Sequence, residues 1–146
     1  MGGLFGSSTA LSKKSHGFGG GCEGASVPTS ANRTASPYLS DGTAPSATTT
    51  IGFLNTIAPF AGKVKNLYAR ALAAVTAGTT LIVTVWINGV ASTLTVTIAN
   101  ADGTNAVSDL TNQPSVSAGD RIQVSPQASA AGAQKDVAWG FILEEN

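Results

Sequence analysis

Hydrophobic and β-branched residues alternate with small polar residues through much of the chain after Thr48. The clearest alternation runs over residues 81–87 and resumes over residues 90–98, and only Asn88-Gly89 separates the two segments. A period of two is typical of a strand with one buried face, and Asn-Gly favours the two-residue turn of a β-hairpin. The pattern therefore predicts two antiparallel strands joined by a tight turn.

The register of this predicted hairpin places one apolar face toward a core. With a two-residue loop, Val83 lies opposite Leu94, and Leu81 lies opposite Val96. These four side chains are predicted to be buried.

The other face of the hairpin is too apolar for simple exposure to solvent. It carries Trp86, Thr84 and Ile82. Homo-oligomer interfaces are rich in such residues, so we predict that Trp86 and Ile82, together with Tyr68, form an oligomer interface. The alternative is a sugar that stacks on Trp86 or Tyr68, for which one or two rings give little support.

Several further segments have the character of strands, and clusters of Gly, Asp, Asn and Pro separate them. They lie near residues 63–72, 106–110, 121–125 and 137–143. In the last segment, Val137, Trp139, Phe141 and Leu143 share one face, where they can fill the space of about 10 Å between two sheets. The spacing predicts an all-β, antiparallel β-sandwich over residues 51–146.

The first fifty residues have a different composition. Gly, Ser, Thr and Ala fill 31 of these positions, which leaves too few side chains for a core. The larger apolar residues follow neither a helical nor a strand period, so we predict an extended, non-globular arm over residues 1–50. Ordering this arm costs about 1 kcal/mol or more per residue, so its stabilising surface is expected on other chains. The predicted anchors are Leu4, Phe5, Leu11, Phe18 and Tyr38.

The charge of the chain argues against several classes of partner. Eight basic residues balance eight acidic ones, and charged residues make up 11% of the sequence, so we expect no binding to nucleic acid or to a membrane surface. Neither a transmembrane run nor a secretory signal is recognisable, which predicts synthesis in a cytoplasm. A surface with so little charge favours a component of an assembly.

Candidate catalytic and metal-binding residues are few. Cys22 and His16 are the only cysteine and histidine of the sequence. An internal disulfide and a Cys/His metal site therefore lack the further residues that they need, and nothing positions His16 for a catalytic triad. A G-x-G-x-x-G spacing over residues 19–24 lacks the strand before it and the helix after it that a dinucleotide site needs. Among the dispersed acidic residues, Asp102 and Asp120 are predicted to stabilise turns. We therefore predict no enzymatic activity, no cofactor and no metal.

Four segments of the predicted sandwich form a set. They are residues 57–68 (IAPFAGKVKNLY), 84–90 (TVWINGV), 94–98 (LTVTI) and 116–124 (VSAGDRIQV). This set resembles jelly-roll domains of tailed-bacteriophage virion proteins, in which apolar-G-x-apolar-x-N-L, a strand ending N-G-V, and V-x-x-G-D-x-I mark successive strands of a trimer-forming sandwich. The resemblance implies a non-enzymatic, jelly-roll-like head from a capsid decoration protein, a head fibre or a tail-fibre tip.

The predicted arm favours the first of these classes. Arms of decoration (cement) proteins run over the capsid lattice and tie capsomers together, whereas a fibre tip more often follows a coiled-coil or β-helical shaft, and this arm has neither heptads nor repeats. We expect the arm anchors to contact the major capsid protein, the heads to form a homotrimer, and the protein to reside on the virion surface. The alternative is a receptor- or carbohydrate-binding head of a fibre or tail protein, in which loops 102–105 and 127–134 contact host-surface glycans.

Overall fold

The computed structural model describes residues 13–22, 56–130, 133 and 135–146. The strands are β1 (Ser15–Cys22), β2 (Thr56–Ile57), β3 (Gly62–Ala71), β4 (Thr80–Ile87), β5 (Val90–Ala99), β6 (Val107–Asp109), β7 (Ser115–Val116), β8 (Arg121–Ala128) and β9 (Val137–Glu145). A short 3₁₀ turn, Asn100–Asp102, follows β5. Within these ranges, no helix is long and apolar enough to span a membrane.

The nine described strands form two antiparallel sheets. The first sheet has the order β1-β9-β3-β6, with β7 also paired to β3, and the second has the order β2-β8-β4-β5. Because β6 and β7 pair with successive parts of β3, they act as one interrupted strand, and each sheet then has four strands. Apart from the β4–β5 hairpin and the short β6–β7 link, every connection from β2 onward crosses between the sheets, as in a jelly roll. The predicted all-β antiparallel sandwich is confirmed.

The core lies between the sheets, where their inward side chains meet. Val137, Trp139, Phe141 and Leu143 of β9 are at most 5% exposed, as their alternation predicts. The aliphatic residues that are completely buried come from both sheets and the loop after β3. They include Val64, Leu67, Val75, Leu81, Val83, Val85, Leu94, Ile98 and Ile122. Removing this apolar surface from water, at roughly 25 cal/mol per Å², is the main favourable contribution to folding.

The β4–β5 hairpin has the turn that its sequence predicts. Asn88 and Gly89 have φ values of 52° and 81°, the left-handed conformation that a two-residue hairpin turn of this kind requires at both positions. Asparagine and glycine adopt this conformation at a lower cost than other residues, so the turn is specified locally.

The predicted register of the hairpin is wrong beyond its first pairs. Val83 pairs with Val96, and not with Leu94, because a bulge shifts the register between Thr84 and Trp86. The Ser92 hydroxyl fills the gap: it donates a hydrogen bond to the Val85 carbonyl oxygen at 2.7 Å and accepts one from the Leu94 amide at 3.2 Å. The shift amounts to two residues, so the same side chains still face the core.

Strand β1 lies within the predicted arm, yet it belongs to the sandwich. All eight of its residues pair with β9, from Ser15 opposite Glu144 to Cys22 opposite Val137. Four glycines leave the strand without an alternating pattern, so its sequence does not predict it. Glycine also permits close approach, because a Cβ at Gly21 would lie 2.8 Å from the carbonyl oxygen of Val137. The predicted domain boundary at residue 50 is therefore wrong for β1.

Phe18 is a core residue of this chain. Its side chain is 6% exposed, its ring stacks on Phe141 with a centroid distance of 5.1 Å, and the His16 ring lies 4.7 Å from it. Because the sandwich itself buries Phe18, the prediction that this residue contacts a capsid is wrong. The other predicted anchors, Leu4, Phe5, Leu11 and Tyr38, lie outside the described residues.

Candidate functional site: interaction surfaces

The three residues of the predicted oligomer interface lie on opposite faces of the sandwich. Tyr68 belongs to β3 in the first sheet, whereas Ile82 and Trp86 belong to β4 in the second. All three point outward, so the whole thickness of the sandwich separates Tyr68 from the other two. They form no continuous surface on one chain, and their contact with other copies stays a prediction, because each subunit of a cyclic trimer contacts its neighbours through two different surfaces.

The outer face of the first sheet exposes Tyr68 above a floor of very small residues. Tyr68 pairs with Gly140, which pairs in turn with Gly19 of β1. Leu110, which follows β6 two residues after the Tyr68 partner Ser108, is also about half exposed. A shallow depression of about 180 Å³ runs along this floor, and it is lined by Tyr68, Ala69, Arg70, Ala106, Ala138, Trp139 and Gly140. We call this surface the Tyr68 face.

The outer face of the second sheet is less accessible. Trp86 is half-buried, and its indole N–H is buried with no hydrogen-bond acceptor within the described part of the chain. On the adjacent strand β8, the outward positions Gln123 and Ser125 are only 1% and 3% exposed. Stacking of a sugar needs an exposed ring face, so this geometry does not favour Trp86 as a sugar platform.

Two turns meet at the end of the sandwich where β4 ends and β8 begins. The Asn88 side-chain amide donates a hydrogen bond to Asp120 Oδ1 at 2.8 Å, and the Ser117 amide donates to Asp120 Oδ2 at 2.7 Å. The Arg121 amide donates to Asn88 Oδ1 at 2.9 Å. The bond from Asn88, followed by that from Ser117, lowers the pKa of Asp120. The N-G-V and G-D-x-I motifs therefore stabilise each other, which gives them a role in the fold.

Asp109 is a buried carboxylate that the sequence analysis did not single out. Its oxygens accept hydrogen bonds from the amides of Thr95, Thr111 and Asn112 and from the Asn112 side chain, at 2.9 to 3.2 Å. Burial raises the pKa of Asp109, but the bonds from Asn112, Thr111 and Thr95 outweigh that effect and the net shift is downward. The bond from Thr95 ties β6 to β5 and the other three hold the turn after β6, so Asp109 is structural. The sequence Asp-Leu-Thr-Asn was the available indication of an Asx-type turn.

The remaining candidate chemistry is dispersed. As predicted, Asp102 and Asp120 hold turns, and Asp102 accepts a hydrogen bond from the Ala99 amide at 2.7 Å. His16 is exposed on β1, and the glycines at positions 19 and 21 lie within that strand. No group of three His, Cys, Asp or Glu residues that could hold a metal ion occurs among residues 13–22, 56–130, 133 and 135–146.

No protein-family model matches this chain, and no curated protein matches it either. The resemblance to virion jelly-roll proteins therefore remains a prediction from the motif segments. The strand order agrees with that prediction at the level of fold, and fold alone does not define function.

Proposed function

We propose that this chain is a bacteriophage capsid decoration protein that binds the exterior of the head and stabilises the lattice. The observation that carries the proposal is the contrast between its acidic groups and its exposed surface. Asp102, Asp109 and Asp120 are engaged in structural hydrogen bonds. Large apolar side chains are instead about half exposed or more, at Ile57, Tyr68, Leu72, Val90 and Leu110. Tyr68 and Leu110 lie near each other on the first sheet, and Ile57 and Val90 lie at one end of the sandwich, and grouped exposed apolar side chains favour protein contacts.

The N-terminal residues supply the second part of the proposal. Residues 1–12 join the sandwich through Lys13 and Lys14, whose backbone continues directly into β1. Leu4, Phe5 and Leu11 would contact the major capsid protein, with Tyr38 from the later part of the predicted arm. A protein that binds the assembled lattice and not its separated subunits shifts the equilibrium away from disassembly. No cofactor, nucleic acid or membrane takes part, and the protein would be made in the host cytoplasm and reside on the virion.

Capsids that lack this protein, taken from the virus whose genome encodes the chain, provide the direct test. The full-length protein should bind them and raise the temperature at which they break open. The double variant Leu4→Ser, Phe5→Ser should bind at least about tenfold more weakly, because two apolar contacts worth more than 1 kcal/mol are lost. Co-sedimentation and thermal disruption measure both effects. A wild-type protein that neither binds nor stabilises the capsids would contradict the proposal.

The proposed homotrimer would form through the Tyr68 face. This face combines an aromatic ring, an exposed leucine and a flat Gly/Ala floor, which permit close approach of a second copy. Tyr68→Glu should convert the trimer to a monomer in sedimentation experiments, since a charge would be buried at the contact. Leu72→Glu is the matched control, because Leu72 is similarly exposed in the loop after β3. Equal oligomeric states for the two variants would place the interface elsewhere.

One observation favours the alternative of a host-binding head. The loops around residues 102–105 and 127–130 lie at the same end of the sandwich. Ala99 and Ala128, the last residues of β5 and β8, pair with the first two residues of β4. The Ser129 amide also donates a hydrogen bond to the Thr80 carbonyl oxygen at 2.9 Å. Two neighbouring loops can form a binding site. Binding of the full-length protein to a glycan array, with no affinity for capsids, would select this function.

A further inference from the structure

The fold collects basic residues that are dispersed in the sequence at one end of the sandwich. At this end β1, β3 and β8 begin and β9 ends. Gly62 at the start of β3 pairs with Glu145 of β9, and the Glu145 amide donates a hydrogen bond to the carbonyl oxygen of Lys14, just before β1. In the second sheet, the Asn88 amide after β4 donates a hydrogen bond to the carbonyl oxygen of Arg121, the first residue of β8. Five of the seven described Lys and Arg residues lie here, and we call their surface the basic end. They are Lys13, Lys14, Lys63, Lys65 and Arg121.

The acidic residues at the basic end already have partners. Lys65 pairs with Glu144 at 2.6 Å and lowers its pKa by a hydrogen bond, and Lys14 pairs with Glu145 at 3.8 Å. The third acidic residue here, Asp120, is held by the two turns described above. Among the described residues of the basic end, the exposed cations that form no direct ion pair are Lys13, Lys63 and Arg121, and the charge of Lys13 contributes to the lowered pKa of Glu144.

The same end has a cleft and exposed apolar side chains. The cleft has a volume of about 320 Å³ and is lined by Lys13, Lys63, Gln113, Glu144, Glu145 and Asn146. Ile57 and Val90 are 54% and 69% exposed, and they lie at this end beside Arg121 and the Asn88-Gly89 turn. Cations next to apolar groups fit a protein surface that presents carboxylates among apolar residues.

We propose that the basic end docks on an acidic protein surface of the capsid lattice, with a partner carboxylate held between Lys13 and Lys63. This inference rests on the proposed function and adds an orientation to it. Lys13, the first described residue, lies at the basic end, and the proposed anchors Leu4, Phe5 and Leu11 precede it in the sequence. The loops around residues 102–105 and 127–130 then face away from the capsid.

The test compares charge-reversal variants of the full-length protein on the same capsids. Lys13→Glu with Lys63→Glu should weaken binding at least about tenfold, and the wild-type affinity should fall as salt rises from about 50 to 300 mM, where screening becomes strong. The neutral variant Lys13→Gln with Lys63→Gln should show a smaller loss in the same direction. Lys135→Glu is the matched control, since Lys135 precedes β9 at the opposite end, and its affinity should stay within about twofold of wild type.

Three results would overturn the inference. If the Lys13 and Lys63 variants bind capsids as the wild type does, the basic end is not the docking surface, and the proposed function stands. If Lys135→Glu weakens capsid binding as much as the Lys13 and Lys63 charge reversals do, the net charge of the protein determines the affinity and the basic end does not. If the wild type prefers a DNA duplex or vesicles that contain phosphatidylserine to capsids, the partner is not an acidic protein surface. A wild type that binds no capsid at all contradicts the proposed function itself.

Discussion

Phe18→Ala is expected to destabilise the protein by about 3 kcal/mol, because it removes a buried ring that stacks on Phe141 and leaves a cavity under the edge strand β1. Phe18 is the buried side chain among the described side chains of β1, so its loss should also loosen the strand. Urea unfolding measures the first effect. Faster hydrogen exchange of the amides at residues 17–21 measures the second.

His16→Ala is the matched control for this prediction. His16 lies on the same strand and contacts the Phe18 ring at 4.7 Å, but it is exposed, so its replacement should cost less than about 1 kcal/mol. If Phe18→Ala instead leaves stability unchanged and reduces only the binding of capsids, Phe18 is an arm anchor and the assignment of β1 to the sandwich fails.

Asp109→Asn is expected to cost about 2 kcal/mol at neutral pH. The substituted side chain has one acceptor oxygen and one NH₂ group. If its oxygen keeps the hydrogen bonds from the Thr111 and Asn112 amides, its NH₂ group faces two other donors, the Thr95 amide and the Asn112 side chain. Buried donors without an acceptor are costly, and the loss of the charge weakens the bonds that remain. Urea unfolding compares this variant with Asp102→Asn, a half-exposed residue whose amide oxygen can still accept from Ala99 and whose effect should be smaller.

The effect of Asp109→Asn should depend on pH in a defined direction. The pKa of Asp109 is lower in the folded protein than its ordinary value of 3.8. Its carboxylate therefore stabilises the fold fully above that value, and the stabilisation disappears as pH falls through the lower, folded pKa. The difference between wild type and variant should be constant from neutral pH to about pH 4 and narrow below it. A constant difference throughout the acid range would show that Asp109 does not carry this dependence.

The sequence determined the features of this protein that depend on neighbouring residues. The Asn88-Gly89 turn needs only two residues that tolerate positive φ, and the alternation of residues 137–143 by itself distinguishes the buried face of β9 from the outer one. Such patterns were sufficient to predict the all-β fold class and the β4–β5 hairpin, whose inner face is buried. They also placed Asp102 and Asp120 in turns, because an Asx side chain bonds to its own local backbone.

The tertiary structure decided what depends on residues distant in the chain. Glycine-rich β1 is a strand because β9 offers it a partner, and no property of its own side chains reveals that. The separation of Tyr68 from Trp86 follows from the crossing between sheets after β3, and Asp109 is buried because β5 supplies the Thr95 amide. Basic and acidic residues are equal in number in the sequence. A basic end arises only because β1, β3 and β8 begin at the same end of the sandwich. The physical reason is that pairing and burial are set by contacts across the sheets, which local periodicity does not encode.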